Sequence, residues 1–220
     1  MSAKTSLAEL REAVAVASRQ LGAKGLLPGT AGNVSARQGD LIAVTATGAV
    51  LADLTAEQVT VVDLDGAVQE GRFAPTSELD LHLGIYHSSS AGAVVHTHSP
   101  MATTLSLVID ELPVVHYQQL ELGGTIRVAP FAVFGTQELA DNVKAALDGR
   151  LAAIMASHGS VAQGATLAKA AAYADLLEWL CTLYWQALAI GKPRLLTPEQ
   201  QQAVIEHALA TGYGETKARD

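Results

Sequence analysis

The 220-residue sequence is poor in charge and nearly devoid of cysteine. Charged residues make up 16% against 49% hydrophobic ones, a balance that excludes disorder and suggests apolar surface buried between subunits as well as inside one. Cys181 is the sole cysteine, so no intrachain disulfide can form. Lys and Arg number 14 against 22 Asp and Glu, for a formal charge of -8. No stretch interleaves basic and aromatic residues as nucleic-acid grooves do, so nucleic acid is not an expected partner. The N-terminus lacks the charged-then-apolar pattern of a secretory signal, which makes the cytoplasm the expected address. The longest apolar helix-like run, Leu167–Ile190, is interrupted by Lys169, Asp175 and Glu178. It reads as a core or interface helix, and no membrane partner is expected.

What is present fits one domain over residues 1–220. Residues 5–23 carry Leu7, Leu10, Ala13, Val14, Ala17 and Leu21 at three- and four-residue steps, the spacing of an amphipathic helix. β-rich runs at 33–36, 41–44 and 59–63, separated by Gly, Asp and Thr, predict an antiparallel meander, with Asp65-Gly66 as a hairpin turn. A helix is expected at 79–88, with Glu78 in its first turn behind the hydroxyls of Thr76 and Ser77. Further expectations are a buried strand at 93–96, a short helix at 100–108, strands at 112–115, 125–129 and 151–155, and helices at 136–147, 166–190 and 198–210 before a polar tail. Strands interspersed with helices on this scale make a layered α/β domain the expected class.

His96-Thr97-His98 follows an apolar strand-like run. Side chains alternate along a strand, so both imidazoles project from one face and can chelate a single cation. Uncharged neighbouring imidazoles otherwise each need a separate hydrogen-bond partner. His158 ends the 151–155 strand and precedes Gly159, which permits a close approach or sharp turn. A lone strand-end histidine is by itself weak support. A carboxylate or water should complete the set, because three His and one acid suit a borderline cation such as zinc. Glu78 is the best-placed acid, but His82, four residues on along the same helix, competes, and spacing does not decide between them. Small polar turns at 29–35, Thr47-Gly48 and Thr76-Ser77 could receive an anion through neutral donors.

These motifs, in order, resemble the class II aldolases of the fuculose-phosphate type, within the superfamily that includes ribulose-phosphate epimerases and adducin head domains. The resemblance covers nearly the whole chain. It is carried by Gly29-Thr30-Ala31-Gly32-Asn33-Val34-Ser35, Thr47-Gly48, Pro75-Thr76-Ser77-Glu78, Val94-Val95-His96-Thr97-His98, His116-Tyr117, Phe134-Gly135-Thr136, His158-Gly159 and Tyr213-Gly214.

The resemblance implies a three-layer α/β/α fold around a largely antiparallel central sheet. It also implies Zn²⁺, one per subunit, held by Glu78, His96, His98 and His158, with Mn²⁺ or Co²⁺ as substitutes. Substrate phosphate would lie against Gly32, Asn33, Thr47, Gly48, Thr76 and Ser77. The further implications are a homotetramer with interfacial active sites, Tyr117 reaching in from a neighbouring subunit, and Tyr213 and Phe134 shaping the aldehyde end. The implied reaction cleaves a ketose 1-phosphate, such as L-fuculose 1-phosphate, to dihydroxyacetone phosphate and L-lactaldehyde. Glu78 would be the base and the metal an electron sink. A 5-deoxypentulose 1-phosphate aldolase, a 3-oxo-tetronate 4-phosphate decarboxylase and a methylthioribulose-1-phosphate dehydratase are the alternatives within the superfamily. A non-catalytic adducin-like module is disfavoured because it would be expected to have lost metal ligands. The Schiff-base route is disfavoured because all six lysines lie near the termini or in helical, polar contexts.

Overall fold

The computed structural model describes residues 6–214. Residue 5 of the expected first helix and the tail beyond 214 lie outside the described residues. Helix α1 (Leu7–Ala23) starts at a reciprocal capping box: Ser6 Oγ accepts from the Glu9 backbone N–H, and the Glu9 carboxylate accepts from that of Ser6. Strands β1 (Asn33–Gln38), β2 (Leu41–Thr45) and β3 (Val59–Asp63) then form the expected meander, which β4 (Val68–Glu70) extends, each strand antiparallel to the one before. At the Asp65-Gly66 turn, Asp63 Oδ1 accepts from the backbone N–H groups of Asp65 and Ala67. The chain continues through α2 (Leu79–Ser88), β5 (Ala93–Thr97), α3 (Pro100–Ser106), β6 (Glu111–Leu112), β7 (Ile126–Ala129) and α4 (Gln137–Ala146). It closes with β8 (Ala152–Met155), β9 (Gly159–Gly164), α5 (Leu167–Ile190) and α6 (Pro198–Thr211).

The strands make one sheet in the order β4-β3-β2-β1-β5-β9-β8-β7-β6. Every neighbouring pair is antiparallel except β7 with β8. Alternation along the strands builds two cores. Ala93 and Val95 of β5, with Ala152 and Ile154 of β8, pack under α1, α3 and α5. Val94, Ala153 and Met155 pack on the other face with Leu81 and Ile85 of α2 and Leu139 and Val143 of α4. Three layers result, helices over sheet over helices, as the resemblance implies.

Two strands escape the sequence reading and one shrinks. β4 is exposed throughout and shows no buried alternation. β9 is buried along its whole length, but its Gly-Ser-Val-Ala-Gln-Gly sequence reads as a loop. Its small residues are demanded by position: a Cβ on Gly159 would stand 2.0 Å from the Thr97 carbonyl oxygen of β5. The strand expected at 112–115 stops at Leu112, since Pro113 has no N–H with which to continue a ladder.

Candidate metal centre and its cavity

Three chain segments converge at one end of the sheet. β5 carries His96 near its end, directly across from Asn33 of β1 and Val161 of β9. His98 lies one residue beyond the strand, its backbone N–H given to the Leu26 carbonyl at 3.2 Å. His158 sits in the tight β8–β9 turn, after Ser157 in a left-handed conformation at φ 53°. It is therefore a turn residue and not the end of a strand, and Gly159 is what lets that turn lie against β5. Glu78 also differs by one position from expectation. It occupies the N-cap of α2 with φ -103° and ψ 29°, and its side chain makes no capping bond. Thr76 Oγ1 accepts from the Glu78 N–H at 3.2 Å, which leaves the carboxylate turned toward the histidines.

The four side chains each present a ligand atom, and these atoms all lie within 4.8 Å of one another. Ring centroids are 4.9 Å apart for His96 and His98, 4.8 Å for His96 and His158, and 4.7 Å for His98 and His158. Glu78 Oε2 lies 3.2 Å from His96 Nε2, and Glu78 Oε1 lies 3.5 Å from His158 Nε2. Tetrahedral ligands at bonds of about 2.0–2.1 Å stand about 3.4 Å apart, a separation the two Glu78–histidine distances match.

Hydrogen bonding defines the protonation of His96. Its Nδ1 is 2.9 Å from the Ser160 carbonyl oxygen, which can only accept, so Nδ1 carries a proton. Nε2 then faces the carboxylate with a lone pair unless a second proton or a metal ion lies between. Neither His96 Nε2 nor Glu78 Oε1 has a hydrogen-bond partner although both are buried, an arrangement that costs free energy unless a cation fills the centre. Burial works to raise the Glu78 carboxyl, but the proton or cation that must lie between it and His96, with Asn33 and His158, holds it well below the usual carboxylate range. Burial pushes His98 and His158 down to about 4, so both rings are neutral and ligand-competent near pH 7.

His82 is not part of the cluster. Its ring is fully buried, with Nδ1 2.7 Å from Ser35 Oγ and Nε2 against Asn33 Oδ1, so both nitrogens are occupied. Of the two acid-or-histidine candidates on α2, the fold brings Glu78 and not His82 among His96, His98 and His158.

A cavity of about 430 Å³ opens beside the cluster, lined by Gly32, Asn33, Thr47, Gly48, Thr76, Ser77, Glu78, His98, Phe134 and His158, among others. The small polar turns are brought together by backbone pairing: Thr76 N–H donates to Thr45 O and Thr47 N–H to Ala74 O. Gly32 (φ 82°) lies so close to the His96 carbonyl that a Cβ would approach it to 2.8 Å. Among the described residues, no Lys or Arg lines this cavity. A larger cleft of about 820 Å³, lined by Asp141, Lys144, Asp148 and Arg150 among others, shares no residue with the cluster.

Tyr117 and Tyr213 are not among the residues lining the cavity of their own chain. Both are exposed, and their hydroxyls meet at 2.8 Å where the turn after β6 approaches the end of α6. His116 caps that turn by accepting from the Gln118 N–H and stacks edge-on against Trp179. Sequence reasoning missed Phe131 and Val133, exposed apolar residues that line the cavity beside Phe134. Their apolar character was legible, but their exposure follows from the loop after β7. It also missed the Ser160 carbonyl that orients His96, because β9 was not recognised as a strand.

The sequence profile of the class II aldolase and adducin N-terminal domain matches residues 12–185. A 5-methylthioribulose-1-phosphate/5-deoxyribulose-1-phosphate aldolase of Rhodospirillum rubrum is 38% identical over 199 residues, 90% of either chain. The L-fuculose phosphate aldolase of Escherichia coli K12 is 38% identical over 192 residues, covering 86% of this chain and 88% of that one. A solved L-fuculose 1-phosphate aldolase structure superposes with a TM-score of 0.86 at 31% identity, over 90% of this chain and 95% of that one.

Proposed function

Because this chain belongs to the class II aldolase and adducin N-terminal domain family, we propose that it cleaves a ketose 1-phosphate reversibly to dihydroxyacetone phosphate and an aldehyde. It is a metal-dependent lyase of the class II aldolase kind. The observation that carries the proposed reading is the buried pair without hydrogen-bond partners, Glu78 Oε1 and His96 Nε2, in a histidine cluster at the wall of a cavity that no Lys or Arg among the described residues lines.

Glu78, His96, His98 and His158 would hold Zn²⁺, since three imidazoles and one carboxylate suit a borderline cation; Mn²⁺ or Co²⁺ would substitute. When bound, such an ion supplies an electron sink for the carbanion left by carbon–carbon cleavage. Glu78 Oε1, which no donor engages, is suited to exchange a proton with the dihydroxyacetone phosphate carbon. The phosphate would lie among Gly32, Asn33, Thr47, Gly48, Thr76 and Ser77, bound by neutral donors. Asn33 meets it with its amide already engaged by Glu78 and His82.

Tyr117, contributed by a neighbouring subunit with Tyr213 beside it, would handle the proton on the aldehyde oxygen. Two features support this: both tyrosines are exposed and outside their own cavity, and Trp185, Leu188, Ile190, Ile205 and Leu209 of α5 and α6 leave apolar surface uncovered. A homotetramer with interfacial sites fits that surface. No helix among the described residues is long and apolar enough to cross a membrane. A single domain over 1–220 with a cytoplasmic address belongs to the proposal.

Phe131, Val133 and Phe134 give the cavity an apolar rim. That rim favours substrates whose aldehyde fragment ends in a methyl or another apolar group. L-fuculose 1-phosphate and 5-deoxy- or 5-methylthiopentulose 1-phosphates share this property. A screen of these against terminally hydroxylated ketose 1-phosphates, following dihydroxyacetone phosphate and aldehyde release with zinc present, tests the reading. Release of carbon dioxide or water in place of an aldehyde would overturn it.

A further inference from the structure

A chain of five buried polar groups runs from the interior to the proposed metal site. Tyr86 OH lies 2.7 Å from Ser35 Oγ, and Ser35 Oγ lies 2.7 Å from His82 Nδ1. His82 Nε2 meets Asn33 Oδ1, and Asn33 Nδ2 donates to Glu78 Oε2 at 2.9 Å. The chain exists because two periodicities match. Asn33 and Ser35 point to one face of β1, and Glu78, His82 and Tyr86 follow at four-residue steps down α2. Two strand residues advance about 6.7 Å and four helical residues about 6 Å, so the rungs stay in register.

The direction of every bond can be assigned. An ionised carboxylate only accepts, so Asn33 must turn its NH₂ to Glu78 and its carbonyl to His82. That carbonyl requires a proton on His82 Nε2, which leaves Nδ1 to accept from the Ser35 hydroxyl. Ser35 in turn accepts from Tyr86. Without His82 nothing on the far side would prefer the Asn33 carbonyl over its amide, and the rotamer that donates to Glu78 would lose its support. Glu78 Oε2 would then be unanchored, and the split between a tethered Oε2 and a free Oε1 would disappear.

We infer that His82 is a positioning residue which, acting through Asn33, holds the Glu78 carboxylate in its metal-binding orientation. This rests on the metal reading given under Proposed function. A helix-to-sheet contact needed only for packing would be cheaper to build from apolar side chains, because each buried polar group must be satisfied.

The test is a double-mutant cycle on Zn²⁺ affinity, measured by competition with a chromophoric chelator on variants shown to be folded by circular dichroism. His82→Leu and Asn33→Ala should each weaken binding by ~10-fold or more, the scale for a lost outer partner of a ligand. The double variant should bind no more weakly than Asn33→Ala alone, since both act on one path. His82→Gln, which keeps a donor and an acceptor, should recover part of the loss. Wild-type affinity in His82→Leu, or losses that multiply in the double variant, would overturn the inference. A wild-type protein that binds no metal would instead overturn the metal reading itself, and the inference with it. Should His82→Leu not fold, ¹⁵N NMR of the unaltered protein decides: the proton must be on Nε2 of His82, and finding it on Nδ1 refutes the relay.

Discussion

Nε2 of His96 faces Oε2 of Glu78 at 3.2 Å while the ring's proton is committed to the opposite nitrogen, where the Ser160 carbonyl accepts it. Two electron-rich atoms at this distance in a buried site repel unless a cation lies between them. We therefore expect about one divalent ion per chain in the purified protein, the stoichiometry of a single four-coordinate site. Removing it with a strong chelator should abolish turnover and lower the thermal midpoint, because a ligand bound only by the folded state adds its binding free energy to stability. Elemental analysis with no stoichiometric metal, together with a midpoint indifferent to chelation, would remove the metal centre from this account.

Glu78 is expected to combine ligation with proton transfer, and the two can be separated. Glu78→Gln keeps one carbonyl oxygen and the shape of the side chain but cannot accept a proton near neutral pH. Metal content should largely persist while kcat falls at least ~100-fold, within the range typical of a lost general base. Near-normal turnover would reduce Glu78 to a ligand or a residue at the start of α2.

The acid response of the metal-free protein follows from one buried histidine, His82, and two half-buried ones, His98 and His158. Burial pushes His82 down to about 3 and His98 and His158 to about 4, below the ordinary histidine value of 6.5. The unfolded chain therefore takes up protons first as pH falls, so unfolding is coupled to proton binding and stability rises with pH across this interval. The contribution is complete above pH 6.5 and is lost toward pH 4 and below. Glu78, held below its ordinary value against the effect of burial by a proton shared with His96 and by the Asn33 amide, adds to the same loss at lower pH. The thermal midpoint of the metal-free protein should decline steadily below about pH 6.5, with proton uptake on unfolding. A midpoint flat between pH 7 and 5 would show that these rings are not neutral in the fold.

Much of the site was legible because local periodicity reports it. Alternation along 93–96 put His96 on the correct face, and the Thr76-Ser77-Glu78 run announced the start of α2. What was not legible depends on contacts distant in sequence. β9 has the composition of a loop, and only the approach of Thr97 to Gly159 shows why small residues are required there. The contest between Glu78 and His82 could not be settled at four-residue spacing, because both share a helical face. Only the fold shows that both His82 ring nitrogens are taken up by Asn33 and Ser35 of β1, 49 and 47 residues away. Tyr117 and Tyr213 are 96 positions apart, and their shared hydroxyl contact is a product of how α6 packs.

That contact bears on assembly. Within one chain the tyrosine pair is exposed and does not line the cavity that holds Glu78, His98 and His158. If the pair serves a neighbour's site, two differently crippled chains should repair each other. His98→Ala lacks a metal ligand but keeps Tyr117, whereas Tyr117→Phe keeps the four ligands but lacks the phenolic proton. Each alone should be nearly inactive. Co-expressed, they would form mixed rings in which some intact metal sites face an intact Tyr117, as head-to-tail cyclic contacts require. Activity should then return in proportion to such pairings, while a Tyr117→Phe, His98→Ala double variant mixed with itself stays silent. Tyr213→Phe should behave in mixtures as Tyr117→Phe does, because the two hydroxyls share one hydrogen bond and would enter the same neighbouring site together. Mixed oligomers that form but remain as inactive as their parents would confine Tyr117 to its own subunit and exclude the interfacial site.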